Sequence, residues 1–402
     1  MPIPPAHPAP AAPKSELVLA IETSCDETAA AVVRGDGTIL SNVIFSQIAI
    51  HQPWSGVVPD LAARAHLDQI DLVVAQAMQE SAVSASDLTA IAATVGPGLV
   101  GGLLIGSQFG KTLAYAWNKP FCPINHLEAH ALSPRLTPPN QPRIPFPYLL
   151  LLTSGGHCQL LLVRGVGDYD RWGTTLDDAV GEAFDKSARL LGLPYPGGPA
   201  IEAAAVGGNP NAYRLPQPLS RPANQPNSPE NFDFSFSGLK TAMRRLTQEL
   251  GAQVVQQPQV VADLAASFQA TVAQFLARRA QQAAARFMQH HQAEQQAAGQ
   301  ETSLEGGQAT GQATGDFQPY LVMAGGVAAN QTIRQAVTAA AAKHGMRFHA
   351  PPMVLCTDNA AMVGWAALER LSVGKNWPAE QVVRPRWPLS ELGDNGRTAA
   401  TA

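Results

Sequence analysis

The chain has 402 residues, of which 46% are apolar and only 14% charged, with a formal net charge of −4 at pH 7. That length supports two sizeable cores, and the near-neutral charge excludes a protein that coats nucleic acid non-specifically, while leaving a local basic patch open. Four cysteines, Cys25, Cys122, Cys158 and Cys356, lie far apart without a Cys-x-x-Cys pair, as expected of a reduced cytosolic protein without a disulfide framework.

Residues 1–15 are rich in proline and alanine and have neither the apolar stretch of a signal peptide nor the arginines of a transit peptide, so they read as a disordered tail. LVLAIETS is the first strand, and AAAVVRGDGTILSNVIF is a hairpin turning at Gly35-Asp36-Gly37. Residues 60–81 have helical spacing, with Leu61, Leu67, Ile70, Val73, Val74 and Ala77 as the apolar face. The uncharged run from Thr89 to Gly110 imitates a membrane span. Its six glycines and Pro97 divide it into a buried strand, a glycine turn and a buried helix, so no membrane segment is expected.

A second set then begins: YLLLLTSGG as a buried strand, CQLLLVRGVG as its hairpin partner, and later the strand YLVMAGGVA. The repetition predicts two related α/β lobes around a cleft. One spans 16–132, with a helix near 358–375 packing back onto it; the other spans 133–357. Three polar or proline-rich stretches, 134–147, 209–230 and 290–316, read as flexible insertions, and 380–402 as a tail. Between the last two insertions lies an amphipathic helix with Val261, Leu264, Phe268, Val272, Phe275 and Leu276 on one side. Arg278, Arg279 and Arg286 on its other side are of a kind to touch RNA phosphates, but a solvated basic face is the commoner meaning.

Two glycine motifs fail as phosphate cradles. GPGLVG fits G-x-G-x-x-G, but no acid follows at roughly 20 residues to hold a ribose. GSQFGKT is one residue short of a phosphate loop, so tight helix–strand packing accounts for these glycines. In HLEAH, His126 and His130 are four apart and share one helix face. With a carboxylate from elsewhere they form a 2-His-1-carboxylate face suited to Fe(II) or Zn(II). The zinc-protease string H-E-x-x-H is not matched, because Leu127 occupies the position of its general base and Glu128 lies roughly 100° further round the helix.

Small-residue turns follow two strands: Ser154-Gly155-Gly156-His157, and the run from Gly325 to Asn330. Such turns let backbone N–H groups approach a phosphate or a base. ETSCDET places hydroxyls and acids after the first strand. TLDDAVGEAFDK has helical spacing with Ala179, Ala183 and Phe184 inward, and leaves Asp185 free to hold a ribose. Cys25 has no neighbouring histidine in sequence and reads as a packed small residue rather than a nucleophile.

In chain order, ETSCDET, GPGLVGGL, HLEAH, TSGGH, DDAVGEAFDK, PGGPAIE, FSFSGLKT, GGVAAN and CTDNAAM resemble the tRNA adenosine threonylcarbamoyltransferase family, TsaD in bacteria, from about Glu16 to Leu368. The resemblance implies an actin-like ATPase (ASKHA) fold, α/β, with two lobes of mixed sheet flanked by helices and the active site in the cleft. It implies transfer of a threonylcarbamoyl group from threonylcarbamoyl-AMP to N6 of the adenine beside the anticodon, in tRNAs reading codons that begin with A. By motif match, His126, His130 and Asp358 are ligands of one divalent metal, with Fe(II) favoured over Zn(II). Leu152, Thr153, Ser154, Gly155 and Gly156 form the substrate turn; Asp185, Gly198, Glu202 and Asn330 hold the adenylate. Asp26 and Glu27 are assigned to catalysis. Implied partners are tRNA, a degenerate related subunit (TsaB-like) and a small P-loop ATPase (TsaE-like), the last consistent with the missing phosphate loop here. The competing readings are a nucleotide-binding regulatory or chaperone module of the same fold, and a metalloprotease.

Overall fold

The computed structural model describes residues 15–219, 232–304, 318–374 and 382–392, with 292–304 described through the backbone alone. Strands β1 (Leu17–Glu22), β2 (Glu27–Arg34) and β3 (Ile39–Ser46) form an antiparallel meander. β4 (Ala90–Gly96) and β5 (Phe121–Asn125) add to it in parallel, giving the order β3-β2-β1-β4-β5. Helices α1 (Ile48–His51) and α2 (Pro59–Ser81) connect β3 to β4, α3 (Val100–Ala116) crosses from β4 to β5, and α4 (His126–Leu132) follows β5 directly.

The second sheet repeats the plan. β6 (Tyr148–Thr153), β7 (Cys158–Gly165) and β8 (Asp168–Thr174) are antiparallel, while β9 (Tyr320–Ala324) and β10 (Arg347–His349) join in parallel, in the order β10-β9-β6-β7-β8. Its helices are α5 (Val180–Leu190), α6 (Gly197–Ala204), α7 (Ser237–Leu250), α8 (Ala252–Val255), α9 (Pro258–Leu304), α10 (Gln331–Ala342) and α11 (Met353–Cys356). The last helix, α12 (Ala360–Ser372), returns to pack on β1, β2 and α4. β4 and β6, each with a parallel neighbour and covered on both faces, are buried at every position, whereas the edge strand β3 is buried only at Ser41 and Val43.

Four sequence expectations need correction. On α2, Leu67 is 65% exposed, and the inner face is completed by Ala62, Ala65 and His66 instead. Segment 134–147, expected as a flexible insertion, buries Leu136, Ile144 and Phe146, and the Phe146 ring stacks on Tyr148 with centroids 5.5 Å apart. Its prolines restrict the unfolded chain, so ordering costs less than composition suggests. The stretch 290–316 is helical as far as Leu304, because its Ala, Gln and Glu residues extend a helix that α9 has already nucleated.

The arginines of α9 are not a solvated face. Arg278 donates to the Pro218 carbonyl at 3.0 Å and Arg279 Nε to the Asp233 carbonyl at 3.0 Å. The Arg286 guanidinium lies 4.8 Å from the Trp172 ring centroid. Residues 1–14, 220–231, 305–317, 375–381 and 393–402, which carry most of the expected tails and part of the insertions, lie outside the described residues. Among the described residues one helix, Pro258–His291, is long and apolar enough to cross a membrane; 67% of its apolar window is buried in the core beside the second sheet.

Candidate functional site

An asparagine fixes the start of each element that carries a candidate metal ligand. At the end of β5, Asn125 Oδ1 accepts from the N–H groups of Leu127 (2.9 Å) and Glu128 (3.2 Å), so α4 begins at His126. Asn125 Nδ2 donates to the Trp387 carbonyl at 2.9 Å. Asn359 caps α12 through the Met362 N–H (3.0 Å) and donates to the Thr357 carbonyl (2.8 Å), which holds Asp358 just ahead of the helix.

These caps bring three side chains together from distant parts of the sequence. Asp358 Oδ1 is 3.0 Å from His130 Nε2 and 3.5 Å from His126 Nε2, and the three candidate ligand atoms lie within 4.8 Å of one another. Metal–ligand bonds near 2.1 Å place adjacent ligand atoms roughly 3.0–3.5 Å apart, so the donor set and its spacing fit a divalent ion. Both histidines are buried, while the Asp358 side chain keeps 20% exposure, so the triad opens on the carboxylate side.

The surroundings orient His126. Its Nδ1 lies 3.1 Å from Ser24 Oγ and 3.2 Å from Glu22 Oε2. Glu22 in turn accepts from the Ser24 N–H at 2.6 Å and from the Thr94 hydroxyl. Burial works against a charged imidazole, but the carboxylates of Asp358 and Glu22 outweigh it and raise the His126 pKa to about 9. Burial likewise opposes ionisation of Asp358, yet His126 and His130 hold its carboxyl well below the usual range. His157 is driven the other way, to about 4, by burial and by its proximity to His126 and His130.

The acid turn between β1 and β2 lies beside this triad. Burial, then Asp26, hold the Glu27 carboxyl well above the usual carboxylate range. The Tyr195 hydroxyl donates to Asp26 Oδ2 at 3.4 Å, reaching across from the α5–α6 connection. Burial and the charges of Asp26, Asp358 and Glu27 push the Cys25 thiol far up, as befits a packed thiol and not a nucleophile. The α3 glycines serve close packing: a Cβ on Gly102 would strike the Thr23 carbonyl and one on Gly106 the Thr23 side chain.

In the turn after β6, Ser154 N–H donates to the His157 carbonyl (2.8 Å) and Ser154 Oγ accepts from the His157 N–H (3.1 Å), leaving Gly155 and Gly156 exposed. Leu152 and Thr153 are fully buried at the end of β6, so the surface of this turn is made by Ser154, Gly155 and Gly156. The four residues expected to hold the adenylate are linked in pairs. Asp185 Oδ1 accepts from the Gly197 N–H (2.7 Å), one residue before Gly198, and Glu202 Oε1 accepts from the Gln331 N–H (2.7 Å), one residue after Asn330. Asn330 itself caps α10 through the Ile333 N–H (3.0 Å) and donates to Gln269 Oε1 (2.7 Å). The TLDD acids sit before α5: Asp177 accepts from the N–H groups of Phe236 (2.8 Å) and Ser237 (3.2 Å), and Asp178 pairs with Lys186 (3.0 Å) and Lys240 (2.7 Å).

Glu22, Ser24 and His157 fall inside motifs of the sequence but without an individual role there, and Thr94, Tyr195 and His66 fall outside them. Glu22 and Ser24 were visible as polar residues ending a buried strand. His66 was visible as a histidine on the inner face of α2; its Nε2–H donates to the Cys25 carbonyl at 3.1 Å, and its Nδ1 accepts from the Thr28 hydroxyl at 2.8 Å. Nothing local marks Tyr195.

The profile described as "tRNA N6-adenosine threonylcarbamoyltransferase" (TsaD) matches residues 38–365. The chain is 50% identical over 394 residues to the tRNA N6-adenosine threonylcarbamoyltransferase of Brucella anthropi, covering 96% of this chain and 99% of that protein. It is also 50% identical over 377 residues to the protein of that name from Agrobacterium fabrum, covering 92% and 94% of the two chains. Among solved structures, HypF from T. kodakarensis superposes with a TM-score of 0.53 at 14% identity, over 93% of this chain and 50% of that one. That likeness concerns the fold alone, which is the actin-like ATPase fold, with two mixed sheets flanked by helices. By profile and by full-length identity, the chain belongs to the tRNA N6-adenosine threonylcarbamoyltransferase family, transferases that modify tRNA.

Proposed function

We propose that the chain transfers a threonylcarbamoyl group from threonylcarbamoyl-AMP to N6 of the adenine adjacent to the anticodon, in tRNAs reading codons that start with A. The observation that carries this reading is the convergence of His126, His130 and Asp358 on one point beside the acid turn. We assign those three as ligands of one divalent ion, Fe(II) ahead of Zn(II), since two imidazoles and one carboxylate leave open positions that both ions accept. When bound, the ion supplies Lewis acidity towards a carbonyl oxygen.

The amine attacks the carbamoyl carbon of the mixed anhydride; the new C–N bond forms, the C–O bond to the phosphate breaks, and AMP departs with the electron pair. The amine must lose a proton, and Asp26, oriented by Tyr195, is assigned to take it. Glu27, whose carboxyl burial and Asp26 push above the usual range, is assigned with Asp26 to catalysis. The turn formed by Leu152, Thr153, Ser154, Gly155 and Gly156 is assigned to the substrate, with Ser154, Gly155 and Gly156 at its surface, and Asp185, Gly198, Glu202 and Asn330 are assigned to the adenylate. Because exocyclic adenine nitrogen is a weak nucleophile, positioning by these groups contributes heavily.

The lobes are assigned as 16–132 with α12, and 133–357. Partners are a degenerate related subunit and a small P-loop ATPase, and the compartment is the cytoplasm. The protease reading loses its general base: the Glu128 carboxylate is buried and receives hydrogen bonds from Arg370, Tyr169 and Gly167. Mass spectrometry of nucleosides from unmodified tRNA, incubated with the chain, threonylcarbamoyl-AMP and both partners, tests the reading. Threonylcarbamoyladenosine that disappears with chelator or with His130→Ala is expected; no product from metal-loaded, nucleotide-bound protein overturns it.

A further inference from the structure

The candidate ligands sit on two separate elements, His126 and His130 on α4 and Asp358 at the entrance to α12. Two buried ion pairs join these elements away from the triad. Glu128, between the two histidines in sequence, accepts from Arg370 Nε of α12 at 2.6 Å. Arg135, just after α4, donates from Nε to Glu369 of α12 at 3.0 Å. None of these four side chains is more than 4% exposed, so water cannot stand in for a missing partner.

The polarity is crossed. Acid on α4 meets base on α12, and base after α4 meets the adjacent acid on α12. A one-residue slip of α12 in one direction would set Glu369 against Glu128 and Leu368 against Arg135, and in the other Arg370 against Arg135 and Leu371 against Glu128, so either slip leaves one like-charge encounter and one unpaired charge in a dry interior. Glu128 is also tied to the second sheet, accepting from the Gly167 N–H at 3.1 Å and the Tyr169 hydroxyl at 2.9 Å. Buried ion pairs contribute little net stability compared with apolar residues of the same volume, and their best-attested use is to specify register.

We propose that Glu128, Arg370, Arg135 and Glu369 are positioning residues for the metal centre, a latch that sets the separation between the α4 histidines and Asp358. This rests on reading His126, His130 and Asp358 as metal ligands. The test is Co(II) titration of the metal-free chain, followed by its visible d–d absorption, alongside thermal unfolding. The double variant Glu128→Gln/Arg370→Met removes both charges at matched volume. It is expected to unfold cooperatively but to bind Co(II) about tenfold or more weakly, with an altered band. Arg370→Lys keeps the charge and moves it, and an intermediate loss is expected without dependence on the double variant's folding.

Met243→Ala, in the core beside the second sheet, is expected to lower the unfolding temperature and leave Co(II) binding unchanged. Latch variants that bind Co(II) as the parent does, or an equal loss in Met243→Ala, overturn the proposal. A parent chain that binds no Co(II), or whose binding survives His126→Ala, overturns the metal reading itself and the latch with it.

Discussion

The imidazole of His126 and the carboxylate of Glu22 meet at 3.2 Å, Nδ1 to Oε2, which turns Nε2 of the same ring towards Asp358 at 3.5 Å. A histidine that gives its second nitrogen to a carboxylate is fixed in tautomer and aim, and is the more basic for it. Glu22→Gln keeps the shape and loses the charge. Metal affinity, read by competition with a chromophoric chelator, is expected to fall about 10–100-fold. Unchanged affinity would reduce Glu22 to a packing role.

With its pKa at about 9, metal-free His126 carries a proton at pH 7.5, and an ion arriving at Nε2 must displace it. Calorimetric titration of metal in two buffers of different ionisation enthalpy should reveal net proton release, with affinity rising as pH approaches about 9. The same shift bears on folding of the metal-free chain. A folded-state pKa above the ordinary 6.5 contributes stability that is complete below 6.5 and lost as pH climbs through about 9. Binding heats that do not depend on the buffer would contradict the assignment.

The asparagine caps are expected to matter out of proportion to their size. Asn125→Ala and Asn359→Ala each remove a cap worth about 1 kcal/mol, and each leaves a carbonyl (of Trp387 or Thr357) without its donor. Both variants should melt earlier and bind metal less tightly. Asn359→Asp, which preserves the acceptor for the Met362 N–H, should recover most of the melting temperature.

A methyl group at Gly106 has nowhere to go against Thr23. Gly106→Ala should cost about 1–3 kcal/mol of stability in a urea titration, since α3 can accommodate it only by moving off β1 or displacing the acid turn. Wild-type stability in this variant would mean that α3 and the turn are not in tight contact at Gly106.

Cys25 sits within the acid turn but has its thiol pushed up by burial and three neighbouring carboxylates. Cys25→Ala is therefore expected to retain transfer activity, and iodoacetamide should label Cys25 slowly at neutral pH. Loss of activity in the alanine variant, with rapid labelling, would restore a nucleophilic role.

The strands and the α4 histidines were legible because they rest on local signals: unbroken apolar runs such as YLLLLT, and a pair of histidines one helical turn apart. The supporting groups were not. Glu22 acts on a histidine 104 residues away, and Tyr195 reaches Asp26 over 169 residues. Neither contact has a periodicity to announce it. Composition misled at Phe146 and Ile144, where prolines suggested a loose loop but the apolar residues between them enter the core. It misled again at Arg279, whose guanidinium is turned inward to a backbone carbonyl.

The most direct measurement is anomalous diffraction from crystals of the anaerobically purified chain, recorded on either side of the iron and zinc absorption edges. One peak is expected, bonded to His126 Nε2, His130 Nε2 and an Asp358 oxygen, stronger above the iron edge, and absent in a His130→Ala chain that has also lost transfer activity. No peak at the triad in a chain that still modifies tRNA, or a peak held by other side chains, would contradict the account.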